Sequence, residues 1–66
     1  MNIGERLKQL RLDKDLSILA LSKELKISDT SLHRWENNMC DIKAENLIML
    51  AKFYNVTTDY ILCLED

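Results

Sequence analysis

The chain has 66 residues, 47% of them apolar, with a formal net charge of −2, no proline and a single glycine at Gly4. That length makes one small domain, near the lower limit at which a single core offsets chain entropy without disulfides, metal or a partner, and the lack of turn formers excludes strands joined by tight turns, leaving an all-α class. No apolar run approaches the roughly 20 residues needed to span a bilayer and the N-terminus lacks a secretory apolar segment, so a cytoplasmic protein without membrane contact is expected.

In chain order, Ile3, Leu7 and Leu10 recur at helical spacing with Glu5, Arg6, Lys8 and Gln9 between them, which predicts a first helix over Ile3 to Leu12. The polar run DKD at 13 to 15 ends it. Ser17 is a good N-cap for a second helix of about two turns containing Ala20, Leu21 and Leu25. After a very short break at Lys26 and Ile27, Ser28 caps a third helix that runs through Glu36, so the two short helices form an αα corner. Asn37 and Asn38 suit its C-terminus, because Asn tolerates the left-handed conformation. Residues 39 to 43 read as a loop. A fourth helix, Ala44 to Tyr54, shows Ala44, Leu47, Ile48, Ala51 and Tyr54 on one stripe and ends at Asn55; Thr57 or Thr58 caps a short fifth helix through Leu62. Neither a repeat nor a linker divides the chain, and one domain over 1 to 66 is expected, with the helix pair at about 17 to 36.

Two dispersed cysteines, Cys40 and Cys63, and one histidine, His33, cannot make a four-ligand zinc site within one chain, so no metal or cofactor is expected. They also provide no nucleophile with an acid–base partner, which argues against an enzyme. Charge is uneven. Residues 1 to 38 carry seven Lys/Arg against six Asp/Glu, and 39 to 66 carry two against five, so a polyanion would meet the N-terminal half.

The stretches IGERLKQLR (3 to 11), LSILALSKELKISDTSLHRWEN (16 to 37) and NLIMLAKFYNVTTDYIL (46 to 62) together resemble the phage repressor/Cro-type, or Xre-like, helix-turn-helix family, and the resemblance covers nearly all of the chain. It implies a compact five-helix, lambda-repressor-like domain that binds double-stranded DNA. In that family the second helix of the motif lies in the major groove with its N-terminal residues near base edges. By position, Ser28 caps this helix and Asp29, Thr30, His33 and Arg34 face the groove, while Leu32 and Trp35 lie on the opposite side. Trp35 then packs as core against helices one and four, and Arg11 and Glu36 match a family ion pair between helices one and three.

Arg34 is the first candidate for base readout, since its planar fork can bond guanine O6 and N7 together; a phosphate contact is the alternative. Thr30 can set its methyl against thymine or bond a phosphate. Asp29 is unusual for a surface facing phosphates: it can accept from cytosine N4, or simply favour the helix dipole as a first-turn acid. Phosphate contacts are expected from Asn37 and Lys43, and from Arg6 or Lys8. Where many family members carry a phosphate-bonding glutamine early in helix two, this chain has Ile18, followed by Leu19. These two are either scattered exposed apolar residues or an edge for a protein partner. Three positions where the family often has glycine are Asp15, Lys26 and Asn38.

The function implied is a bacterial or phage transcription regulator, acting as a repressor and binding palindromic operator half-sites as a two-fold homodimer. With no separate dimerisation segment in view, Tyr60, Ile61, Cys63 and Leu64 are the expected dimer surface. The rival is a protein-binding module, such as an antitoxin or adaptor, that keeps the fold and binds through Ile18 and Leu19.

Overall fold

The computed structural model describes residues 1–65, and in them five helices follow one another: α1 (Ile3–Asp13), α2 (Ile18–Leu25), α3 (Asp29–Glu36), α4 (Ala44–Tyr54) and α5 (Thr58–Ile61). Four of the five start on a side-chain cap. Asn2, Ser17, Ser28 and Thr57 each accept from the backbone N–H three residues on, satisfying one of the donors that a helix start leaves open. Between Thr57 and Thr58, the cap falls to Thr57.

The turns are made by residues in the left-handed region that are not glycine: Asp15 (φ 57°), Lys26 (58°), Asn38 (58°), Asn55 (57°) and Cys63 (63°). Each sits at or just past a helix end, where the reversed conformation lets its N–H close back on the helix. The α2–α3 turn shows how tightly this is done. The Ile27 N–H donates to the Ser22 carbonyl at 3.2 Å, and the Ser22 hydroxyl donates to the Ile27 carbonyl at 2.5 Å. That reciprocal pair fixes the angle at which α3 leaves α2.

The core is Leu7, Leu21, Leu32, Trp35, Leu50, Ala51, Tyr54 and Ile61, so every helix contributes to it. Trp35 lines one gap with Leu7 of α1 and Leu50 and Tyr54 of α4. One expectation shifts here. On α4 the buried stripe is Leu50, Ala51 and Tyr54 with Leu47 beside it, whereas Ile48, placed on the stripe by sequence spacing, is 48% exposed. Ala20 of α2 is exposed too. The fourth helix is turned so that Leu50, one of the largest fully buried side chains, faces inward.

Candidate nucleic-acid interface

What holds α3 is concentrated on its inner side. Arg11 Nε donates to Glu36 Oε2 at 2.7 Å and Nη2 to Oε1 at 2.9 Å, a two-pronged pair with both residues buried. The third prong, Nη1, donates to the Leu16 carbonyl at 2.8 Å, tying the α1–α2 loop to the same point. The Glu36 hydrogen bonds push the Arg11 guanidinium further above its usual range. Burial, then the Glu36 carboxylate, pushes the neighbouring Tyr54 phenol up to about 12, with Arg11 opposing.

A second tie lies just past the end of α3. Asn38 Oδ1 accepts from the Gly4 N–H at 3.0 Å, and its Nδ2 donates to Asn2 Oδ1 at 2.9 Å, the same oxygen that caps α1. Gly4 is buried at this contact, and a Cβ there would meet the Glu36 carbonyl and the Asn38 amide.

The outer side of α3 is bare by comparison. Asp29, Thr30, His33 and Arg34 are all exposed, and among the described residues no hydrogen bond involves the side chains of Asp29, Thr30 or Arg34. Ser28 Oγ accepts from the Ser31 N–H at 3.2 Å and so starts the helix directly behind them. Asn37 Nδ2 donates to the His33 carbonyl at 2.8 Å and lies 3.4 Å from His33 Nδ1, so it closes the C-terminal turn and leans on the imidazole.

Of the residues expected near phosphate, Lys8 and Lys43 are exposed and take part in no salt bridge among the described residues. Lys43 also occupies the N-cap of α4, where no side chain accepts from the first-turn N–H groups. Open donors beside a cation are a suitable place for an anion. Arg6 is different. Its guanidinium sits 3.9 Å over the Tyr60 ring, a cation–π contact that draws it to the α1–α5 side. Arg6, expected near phosphate, and Tyr60, expected on a dimer surface, are thus each other's partner within the chain.

Ile61 requires a correction: it is fully buried and belongs to the core, not to a surface. Leu64 is 72% exposed, while Tyr60 and Cys63 are half-buried.

A family model described as a helix-turn-helix domain matches residues 4–66. The chain belongs to that family. Among the helix-turn-helix relatives, the transcriptional activator BcrR of Enterococcus faecalis is 35% identical over 66 residues, which is all of this chain and 32% of that protein. The transcriptional regulator ImmR of Bacillus subtilis (strain 168) is 32% identical over 62 residues, 94% of this chain and 49% of that protein. The chain thus spans about a third to a half of the length of these relatives. The P22 c2 repressor, solved in complex with a synthetic operator, superimposes with a TM-score of 0.86 at 29% identity, covering 94% of each chain. The solution structure of the same repressor's DNA-binding domain gives 0.83 at 29% identity, covering 94% of this chain and 82% of that one. The all-helical fold of this helix-turn-helix domain is that of the P22 c2 DNA-binding domain.

Two features of the site go beyond the sequence reading. Asn2 and Asn38 form the tie at Gly4; Asn38 is legible as a helix-stop residue, but its meeting with Asn2 across 36 positions has no local signal. The other is Ile18. Its side chain packs partly on the core and partly lines an open depression with Asp29, Thr30 and His33, whereas Leu19 beside it is 57% exposed.

Proposed function

We propose that this chain is a sequence-specific DNA-binding transcription regulator that lays α3 in the major groove. The observation that carries the reading is the division of α3: its inner side is fixed by Leu32, Trp35 and the Glu36–Arg11 pair, while Asp29, Thr30, His33 and Arg34 stand exposed together on the other. A rigid backbone with unengaged polar side chains suits base-edge recognition, because the side chains surrender few existing contacts on docking. The operator complex of the P22 c2 repressor, a protein of the same fold, supports this use.

In this reading Arg34 bonds a guanine edge. Lys43, the open start of α4, Lys8 and Asn37 meet phosphates. Two copies pair across α5 and the residues after it, with Tyr60, Cys63 and Leu64 at the contact, and bind half-sites about one helical turn apart on palindromic DNA. Repression is the simpler mode, since occupancy of the operator suffices for it. The domain acts in the cytoplasm and carries out no chemistry on the DNA.

Selection from random duplexes tests it. Arg34→Ala is expected to lose about 1–3 kcal/mol of discrimination and relax one base pair per half-site. Lys43→Ala weakens all sequences alike and reduces the slope of log affinity against log salt by about 0.9 for each phosphate it no longer neutralises. A wild-type chain that enriches no sequence and shows no salt-dependent binding would instead point to a protein partner at the exposed Leu19 edge.

A further inference from the structure

The first residue of α2 and the outer face of α3 share one hollow. Ile18 forms a wall of it, and Asp29, Thr30 and His33 form the rest. The hollow is open to solvent on the side where α3 is exposed. Ile18 is anchored from behind by the core, and a β-branched side chain in a helix keeps essentially one χ1 rotamer, so this wall is stiff. Thr30, which carries a methyl, lines the same hollow. Asp29 and His33 rim the apolar patch with polar groups. A phosphate gains nothing from Ile18 and is repelled by Asp29, which leaves the hollow suited to an apolar group with polar neighbours.

Duplex DNA offers one apolar group in the major groove, the C5 methyl of thymine, and it is flanked by base-edge donors and acceptors. We propose that Ile18 is a specificity-determining residue: with the methyl of Thr30 it receives a thymine methyl, so that α2 takes part in base reading. This rests on α3 entering the major groove. It gives the isoleucine at the start of α2 a definite role, contact with a base where many family members contact the backbone.

The experiment uses the 66-residue protein and the operator it selects from random duplexes. Each thymine is replaced in turn by deoxyuridine, which removes the methyl and leaves Watson–Crick pairing intact, and affinity is measured at fixed salt for wild type, Ile18→Ala and Thr30→Ser. In the wild type, one thymine per half-site is expected to cost about fourfold on losing its methyl, the scale of one buried methylene-sized group. In Ile18→Ala the same replacement is expected to cost less than about twofold, because the wall is gone, and Thr30→Ser gives an intermediate loss. A consensus without thymine, or replacements that are all neutral in the wild type, overturns the thymine pocket while leaving α3 as the reading helix. An undiminished loss in Ile18→Ala also overturns it. If Ile18→Ala does not fold, the wild-type series and Thr30→Ser decide, a full loss in Thr30→Ser counting against the pocket. Failure to select any sequence overturns the DNA reading itself, and this inference with it.

Discussion

The two sides of α3 are held by very different amounts of hydrogen bonding. On the inner side, Glu36 uses both carboxylate oxygens on Arg11, and Asn38 just beyond it uses its amide oxygen and nitrogen on α1 and its cap. On the outer side, Asp29, Thr30 and Arg34 use none of their side-chain capacity within the described residues. Spatial precision and chemical freedom are thereby assigned to opposite faces of one eight-residue helix. A small domain gains from this arrangement, since positioning a reading helix from behind leaves its front face free to change without unfolding the chain.

The strongest way to break the contrast is to remove Glu36. Glu36→Ala leaves the buried Arg11 guanidinium without its carboxylate, and a loss of about 3–5 kcal/mol of unfolding free energy is expected by urea denaturation. Replacing both residues by apolar ones of similar volume, Arg11→Met with Glu36→Leu, is expected to recover most of that stability, because no uncompensated charge remains. A double variant as unstable as the single one would show that the pair's role lies in its Leu16 tie instead.

Gly4→Ala attacks the second tie. The new Cβ would lie 2.7 Å from Asn38 Nδ2 and closer still to the Glu36 carbonyl, backbone that cannot swing aside. Overpacking of this kind costs about 1–3 kcal/mol, against at most about 1 kcal/mol gained from the better helix propensity of Ala. A net loss of about 2 kcal/mol is expected in thermal or urea unfolding, and a neutral substitution would mean that the α1–α3 approach is looser than its hydrogen bonds imply.

Much of this contrast is legible in the sequence, and the failures have a common cause. The caps at Ser17 and Ser28 and the left-handed Asn38 follow from local chemistry, while the turns at Asp15 and Lys26 and the inward Leu32 and Trp35 follow from the positions they share with the family. The stripe on α4 does not, because NLIMLAKFY is apolar almost all round: stripes through Ile48 or through Leu50 satisfy the same period, and only the packing partners choose. Ile61 sits in the apolar run YIL, where periodicity over four residues has no power to choose a face. Charge alone also gives no sign of the Tyr60 ring beneath Arg6, which comes from the far end of the chain. Long-range partners, not local preferences, account for each miss.

Tyr54 gives the tied side a pH signature. The phenol is held up to about 12 in the folded chain, against an unfolded value of about 10. The folded state therefore keeps its proton where the unfolded state loses it. A site that binds the proton more tightly when folded contributes fully below about pH 10 and loses that contribution as pH rises toward 12. Relative to Tyr54→Phe, which cannot ionise, the wild type is expected to lose about 1–2 kcal/mol across that window. Parallel stability profiles for the two proteins would remove the phenol from the inner network.

The smallest expected effect sharpens the contrast from the other direction, at the turn that delivers the reading face. Lys26 adopts φ 58° and ψ 40°, a conformation that costs an ordinary L-residue about 1–2 kcal/mol, and its exposed side chain makes no hydrogen bond or ion pair among the described residues to offset it. Lys26→Gly removes that strain but loses about 0.4–1 kcal/mol through the greater freedom of glycine in the unfolded chain. A net gain of about 0.5–1 kcal/mol in unfolding free energy is the balance. The Ser22–Ile27 hydrogen bonds hold the turn independently of residue 26, so the angle between α2 and α3 is expected to persist, and with it the selected DNA sequence. Greater stability with an unchanged consensus would show that reading depends on where α3 is held and not on strain in the turn before it; a changed consensus would make Lys26 part of the reading surface.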